Sequence, residues 1–211
     1  MRSYLKFLLW TGGIVAVVGL VLYYGFFDVW TVPSDDPQMT ISVQPTLFDG
    51  DVVLVSRRGT PGWGNLVRCL DPENPGRYVV ARIVGQPNDD LELRGETLSV
   101  NRRAMSTVGV CDPPRVTVKN PATQEDVELQ CSRREFAGLT LEFYRGVDQL
   151  EKDMTVRVEP NRVYLMSDNV HLHLDSRDYG QINLATCQHI VYRLWGTTGA
   201  GDSKRRFTVL W

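Results

Sequence analysis

A mostly β ectodomain carried by one N-terminal membrane helix is the fold class this sequence predicts. Three observations predict it. An uncharged apolar run covers Phe7 to Phe27. Beyond Pro33, short segments rich in β-branched and aromatic residues alternate with Gly, Pro and Asn turns. No later stretch holds a helical apolar period long enough for a second long helix. Short strands with frequent turns close into a barrel or fold over as a curled sheet, here with hairpins inserted.

The apolar run reads FLLWTGGIVAVVGLVLYYGFF, and about 20 such residues are what a helix needs to cross the hydrocarbon core. Trp10 lies near one end and Tyr23 and Tyr24 near the other, where amphipathic rings meet the interface. Arg2 and Lys6 precede the run, while Asp28, Asp35 and Asp36 follow it. That asymmetry places the N-terminus in the cytoplasm and the rest of the chain outside. A cleaved signal peptide would have a shorter apolar core and a small-x-small site, so an uncleaved anchor is expected over residues 1–28. The ectodomain then covers 29–211.

Along the ectodomain, Asp51 to Ser56 and Tyr78 to Val84 read as strands, and Leu91 to Asn101 as a hairpin about Gly95-Glu96. Arg115 to Lys119 and Asp126 to Gln130 alternate around Asn120-Pro121, a second hairpin. Leu139 to Tyr144, Thr155 to Val158, Arg162 to Met166 and His189 to Trp195 complete the strands, and Val147 to Met154 suits a short helix. The stretch from about 102 to 154 reads as an inserted hairpin sub-domain. Gly196 to Asp202 is a loose tail, and Lys204 to Trp211 either adds an edge strand or rests on the membrane.

The formal net charge of -2 and a pI near 5.9, with Lys and Arg scattered, exclude a phosphate-binding surface and nucleic acid as a partner. Cys69, Cys111, Cys131 and Cys187 show no CxxC spacing, which argues against a zinc knuckle. Cys111 and Cys131 bracket the second hairpin, and an oxidising compartment permits a bond between them.

Three segments carry chemistry. The first is Thr40-Ile41-Ser42-Val43-Gln44-Pro45-Thr46-Leu47, followed by Gly50-Asp51. The second is Ala81-Arg82-Ile83-Val84-Gly85-Gln86-Pro87-Asn88-Asp89. The third runs Ser167-Asp168-Asn169-Val170-His171-Leu172-His173-Leu174-Asp175-Ser176-Arg177-Asp178-Tyr179-Gly180. In this order after an N-terminal anchor, they resemble the S-M-x-P-T-L…G-D, K-R-V-V-G-x-P-G-D and G-D-N-R-x-x-S-x-D-S-R-x-x-G segments of the type I signal peptidases. These are serine-lysine endopeptidases. The resemblance places Ser42 at the nucleophile and Thr40 at the oxyanion-hole hydroxyl. It makes Asp175, Ser176 and Arg177 the ion pair and loop supporting the site. It puts Ala81 where the family has its general-base lysine, and Val43, Asn88, Val170 and His173 also depart from the pattern.

The departure at 81 matters chemically. A serine hydroxyl needs a base, and the carbonyl oxygen it attacks needs donors. Alanine does not titrate, and the neighbouring Arg82 guanidinium does not deprotonate in proteins. Three readings stay open: an experimentally disarmed peptidase, a natural pseudopeptidase, or another base in place of lysine. His173, at the third motif's serine position, is the candidate for the last, oriented by Asp175 or Asp168; a packing or surface histidine is the plainer reading. His171 and His173 stand two apart, but only Asp168 and Asp175 join them, so no metal site is expected. No cofactor is implied.

The resemblance implies a membrane-bound serine endopeptidase that removes signal peptides from secretory preproteins, impaired or altered at position 81. It works on the outer face of a bacterial cytoplasmic membrane. Substrates with small residues before the cut bind as an added β-strand. The alternative is a non-catalytic relative that binds exported or pilin-like proteins during assembly. Oligomeric state is not legible.

Overall fold

A computed structural model describes residues 2–95, 97–146, 152–197, 199, 201, 203 and 205–210. Helix α1 (Arg2–Phe26) runs directly into strand β1 (Phe27–Thr31), and a short helix α2 (Pro37–Val43) follows. Then come β2 (Val52–Ser56), β3 (Leu66–Leu70), β4 (Tyr78–Gly85), β5 (Asp90–Arg94), β6 (Thr97–Val100) and β7 (Arg103–Ala104). A long ribbon is built of β8 (Ser106–Lys119), β9 (Asp126–Phe136) and β10 (Leu139–Gly146). The chain returns through β11 (Met154–Arg157), β12 (Arg162–Met166), helix α3 (Ser176–Tyr179), β13 (Ile182–Asn183), β14 (Cys187–Trp195) and β15 (Thr208–Val209).

Within α1, Lys6–Phe26 is long and apolar enough to span a bilayer, and none of it is packed away against protein. Its C-terminal carbonyls, unpaired by the helix itself, are met from the β-rich domain. Arg57 Nη1 donates to Tyr24 O at 3.3 Å, and Arg58 Nε donates to Gly25 O at 3.0 Å. β1 pairs antiparallel with β2 from Phe27↔Ser56 to Thr31↔Val52, so the anchor joins the sheet with no free linker.

The main sheet runs β1-β2-β14-β3-β4-β12-β13, with β15 added to β14. A second sheet has the order β11-β5-β6-β7 and a third β10-β9-β8. The strand periods in the sequence are reproduced, including the hairpins about Gly95 and Asn120-Pro121. β4 is buried on both faces from Val79 to Gly85, which is why its sequence is apolar at successive positions rather than alternating, broken only by Arg82, whose charge is paired with Asp168. Gly85 is closely packed there, and a Cβ would meet Leu91 Cδ1 at 2.6 Å and Val158 Cγ2 at 3.0 Å, so a larger residue would force its neighbours to shift. Successive β4 side chains face opposite sides of the sheet. Val80 packs with Met39, Val43, Leu66 and Ile190; Ala81 packs with Val67, Val79, Ile83 and Leu165. Each fully buried Val, Leu, Ile or Met side chain among these contributes about 1.5–3 kcal/mol, and the Ala81 methyl about 0.8 kcal/mol.

Four differences from the sequence reading stand out. The segment holding Thr40 and Ser42, to which the sequence reading assigned no helix, forms a short one. Asp36 caps it by accepting from Met39 N at 3.2 Å, and Pro37 suits its first turn. Met39 and Val43, one turn apart, bury the same face, and Gln44-Pro45 stops the helix. Second, β1 and β3 are strands that no alternation announced, because both are short and framed by bulky residues on each face. Third, the short helix expected at Val147 to Met154 falls largely on 147–151, outside the described residues; Met154 itself opens β11. Fourth, Cys69 and Cys187, opposite each other on β3 and β14, form a disulfide beside the expected Cys111–Cys131 bond.

Candidate active site

The three motif segments meet at Asp168. Its carboxylate takes Arg82 Nε at 2.7 Å and Arg82 Nη2 at 3.2 Å, and Thr46 Oγ1 donates to it at 2.5 Å. Arg82 also donates from Nη1 to Gly64 O at 3.1 Å. Both charges are almost wholly buried, which is tolerable only because they are paired and hydrogen-bonded. The next residue continues the clamp. Asn169 N donates to Ser42 O at 3.0 Å, and Asn169 Nδ2 donates to Ile41 O at 3.0 Å. Those carbonyls belong to the end of α2, where helical partners run out.

Ser42 sits in the last turn of α2 with no exposed surface. Its hydroxyl donates to Met39 O at 2.7 Å, the local back-bond a serine makes inside a helix. The Thr40 hydroxyl is engaged in the same way, donating to Asp36 O at 3.0 Å and Pro33 O at 3.3 Å. Ala81 is fully buried in its apolar cluster. Position 81 therefore offers no proton acceptor, and Arg82 is committed to Asp168.

The third motif folds into a capped single turn. Asp175 accepts from Arg177 N at 2.9 Å while Asp178 accepts from Asp175 N at 3.0 Å, a reciprocal capping box. Gly180 ends the turn at φ 73°, a left-handed conformation that favours glycine. Arg177 holds Asp175 through Nε at 3.0 Å and Nη2 at 2.7 Å, and Ser167 N donates to the same carboxylate at 2.7 Å. Burial alone would raise the Asp175 carboxyl, but the Arg177 hydrogen bonds and charge outweigh it and hold it below the usual carboxylate range. Ser176 Oγ accepts from Leu165 N at 2.8 Å, tying the turn to β12. Asp175, Ser176 and Arg177 thus brace one loop.

His173 Nδ1 lies 2.8 Å from Asp178 Oδ2, so its ring is held by Asp178 rather than by Asp168 or Asp175. Ser42 Oγ and His173 are not bonded to one another in this arrangement. Ligand atoms of His173, Asp175 and Asp178 lie within 4.8 Å of one another, but the two carboxylates already serve the cap and the Arg177 ion pair, and His173 is bonded to Asp178.

One residue escaped the sequence reading. His189 of β14 lies opposite Val67, which lies opposite Ala81, so the three share one row of the sheet face. Its Nε2 is buried without a hydrogen-bond partner among the described residues. Burial first, and the Arg82 charge second, push the imidazole pKa down, so the ring stays neutral. No motif marks it; only the strand register brings it to this row.

The profile of a family described as "Signal peptidase, peptidase S26" matches residues 5–191. No curated protein matches the chain. The match takes in the anchor, all three motif segments and the buried cluster at Asp168 that joins them. The chain belongs to the signal peptidase family, peptidase S26.

Proposed function

We propose that this protein is a single-pass signal peptidase-type serine endopeptidase that receives the signal peptides of secretory preproteins, with its hydrolytic step impaired at position 81. One observation carries the impairment: Ala81 is a fully buried alanine among Val67, Val79, Ile83 and Leu165. A general base must lie within hydrogen-bond reach of the hydroxyl it deprotonates, and the Ser42 hydroxyl instead donates to a backbone carbonyl. In this reading Ser42 is the nucleophile position, Thr40 the oxyanion-hole position, and Asp175, Ser176 and Arg177 the support of the loop beside them. Arg2 and Lys6 stay in the cytoplasm, and residues 29–211 form one outer domain with 102–154 inserted into it.

The complete burial of Ser42 favours a second reading, a non-catalytic relative that binds exported or pilin-like proteins for assembly. Incubating the purified full chain with a preprotein separates the two. The parent chain is expected to cut slowly or not at all, and Ala81→Lys to restore a cut that Ser42→Ala in the same background abolishes. No cut in any version, with preprotein binding retained, would leave only the assembly reading. A cut in the parent chain that disappears in both Ser42→Ala and His173→Asn would instead make His173 the base.

A further inference from the structure

We propose that Arg57 and Arg58 form a binding site for the phosphate of an anionic phospholipid, at the point where α1 leaves the membrane. From the preceding section the site takes only that α1 spans the bilayer. It owes nothing to cleavage or to position 81.

The depth of the site follows from the helix. Lys6–Phe26 has 21 residues, and at about 1.5 Å each they cover a hydrocarbon core of about 30 Å. The last turn of α1 therefore lies where acyl chains give way to headgroups. The turn after β2 is bonded onto that level. Arg57 N donates to Phe26 O at 2.8 Å, Arg57 Nη1 to Tyr24 O at 3.3 Å and Arg58 Nε to Gly25 O at 3.0 Å. Three consecutive carbonyls at the negative end of the helix are thus met by two consecutive arginines. Those bonds hold both guanidinium groups at headgroup depth.

Arg58 has donors to spare. Its side chain is exposed, and its guanidinium lies over the Phe26 ring, 4.4 Å from the centroid, which fixes its plane. Nε is used on Gly25 O, and the two Nη groups have no partner among the described residues. A planar guanidinium edge of this kind matches two phosphate oxygens at once, as the compact ammonium of lysine does not. The charge balance also favours an anion. Arg57 and Arg68 share one carboxylate, Asp28, at 3.3 and 2.6 Å. With Arg58, three arginines stand against one aspartate, an excess of two positive charges. The loop from Gly59 to Asn65 adds no charge, and neither does the apolar run of α1. A lipid fits better than a free anion, because its acyl chains lie along a helix that is bare of protein packing.

The test uses the full chain in detergent micelles, titrated with equal amounts of phosphatidylglycerol and phosphatidylcholine and read by native mass spectrometry. Phosphatidylglycerol should be retained preferentially. Arg58→Gln should lower that preference about fivefold, the worth of one arginine at a membrane surface. Arg57→Gln/Arg58→Gln should lower it further, while Arg2→Gln/Lys6→Gln, at the opposite end of α1, should leave it in place. Equal retention of the two lipids by the parent chain, or a preference that survives the double substitution at 57 and 58, overturns the proposal. So does displacement of the lipid by an equal concentration of glycerol 3-phosphate, which would make the ligand a soluble phosphate. The parent-chain comparison decides the matter on unaltered protein even if the variants misfold. No preprotein is present, so failure of this site and failure of the cleavage reading are scored separately.

Discussion

Arg82 and Asp168 form a two-point ion pair in the interior, Nε to Oδ1 at 2.7 Å and Nη2 to Oδ2 at 3.2 Å. The pair joins the second and third motif segments, separated by 86 residues, and Thr46 brings in the first. Removing one partner leaves the other charge buried. Asp168→Asn is therefore expected to destabilise the fold by about 3–5 kcal/mol, measured by chemical denaturation in detergent. A loss below 1 kcal/mol would mean that the guanidinium finds water there.

Ala81→Lys carries a physical signature apart from activity. The added stem overpacks a filled cluster, worth about 1–3 kcal/mol, and the ammonium is desolvated, which depresses its pKa below the unfolded value. The variant should be less stable than the parent at neutral pH. Because the depressed group takes up its proton more readily when unfolded, the variant's stability should rise as pH is raised toward 10. Denaturation curves at pH 7 and 9.5 read this directly; equal stability at both would show the ammonium reaching solvent.

The two disulfides should differ in weight. Cys69–Cys187 closes 118 residues and Cys111–Cys131 closes 20. Loop-closure entropy assigns them about 5 and about 3 kcal/mol respectively. Paired Cys→Ser substitutions, compared by melting temperature, should place the first variant lower than the second. The reverse order would point to the ribbon as the structure's more dependent part.

His189 predicts a pH response. Its folded pKa is depressed, so the native ring stays neutral while the unfolded one takes a proton near the ordinary value of about 6.5. Stability from this group is complete above that pH and falls as pH drops from it toward the lower folded value. Urea midpoints at pH 8, 6.5 and 5.5 should decline more steeply in the parent than in His189→Phe. Parallel profiles would remove His189 as the cause.

Much of this site was legible before any coordinates. Strands such as Asp126 to Gln130 and Leu139 to Tyr144 show themselves because alternate residues meet different environments, and that period is written locally. Ser42, Ala81 and Asp175 could be located because each lies inside a segment of matching order. The helical state of 37–43 was not legible, since seven residues hold little intrinsic helical signal and the deciding contacts, Met39 and Val43 against Val80 and Leu66, come from distant strands. His189 stayed hidden for the same reason, being placed by strand register rather than by neighbours in sequence.

By itself, then, the amino-acid order determined an N-terminal apolar helix long enough to span a bilayer, a β-rich domain after it and a side chain without a titratable group at position 81, because these depend on composition and short-range period. Only the tertiary structure decided that the Ser42 hydroxyl is enclosed and turned onto Met39, and that Asp168 is the meeting point of the motifs. Those outcomes rest on contacts between residues far apart in the chain, whose energies no local stretch contains.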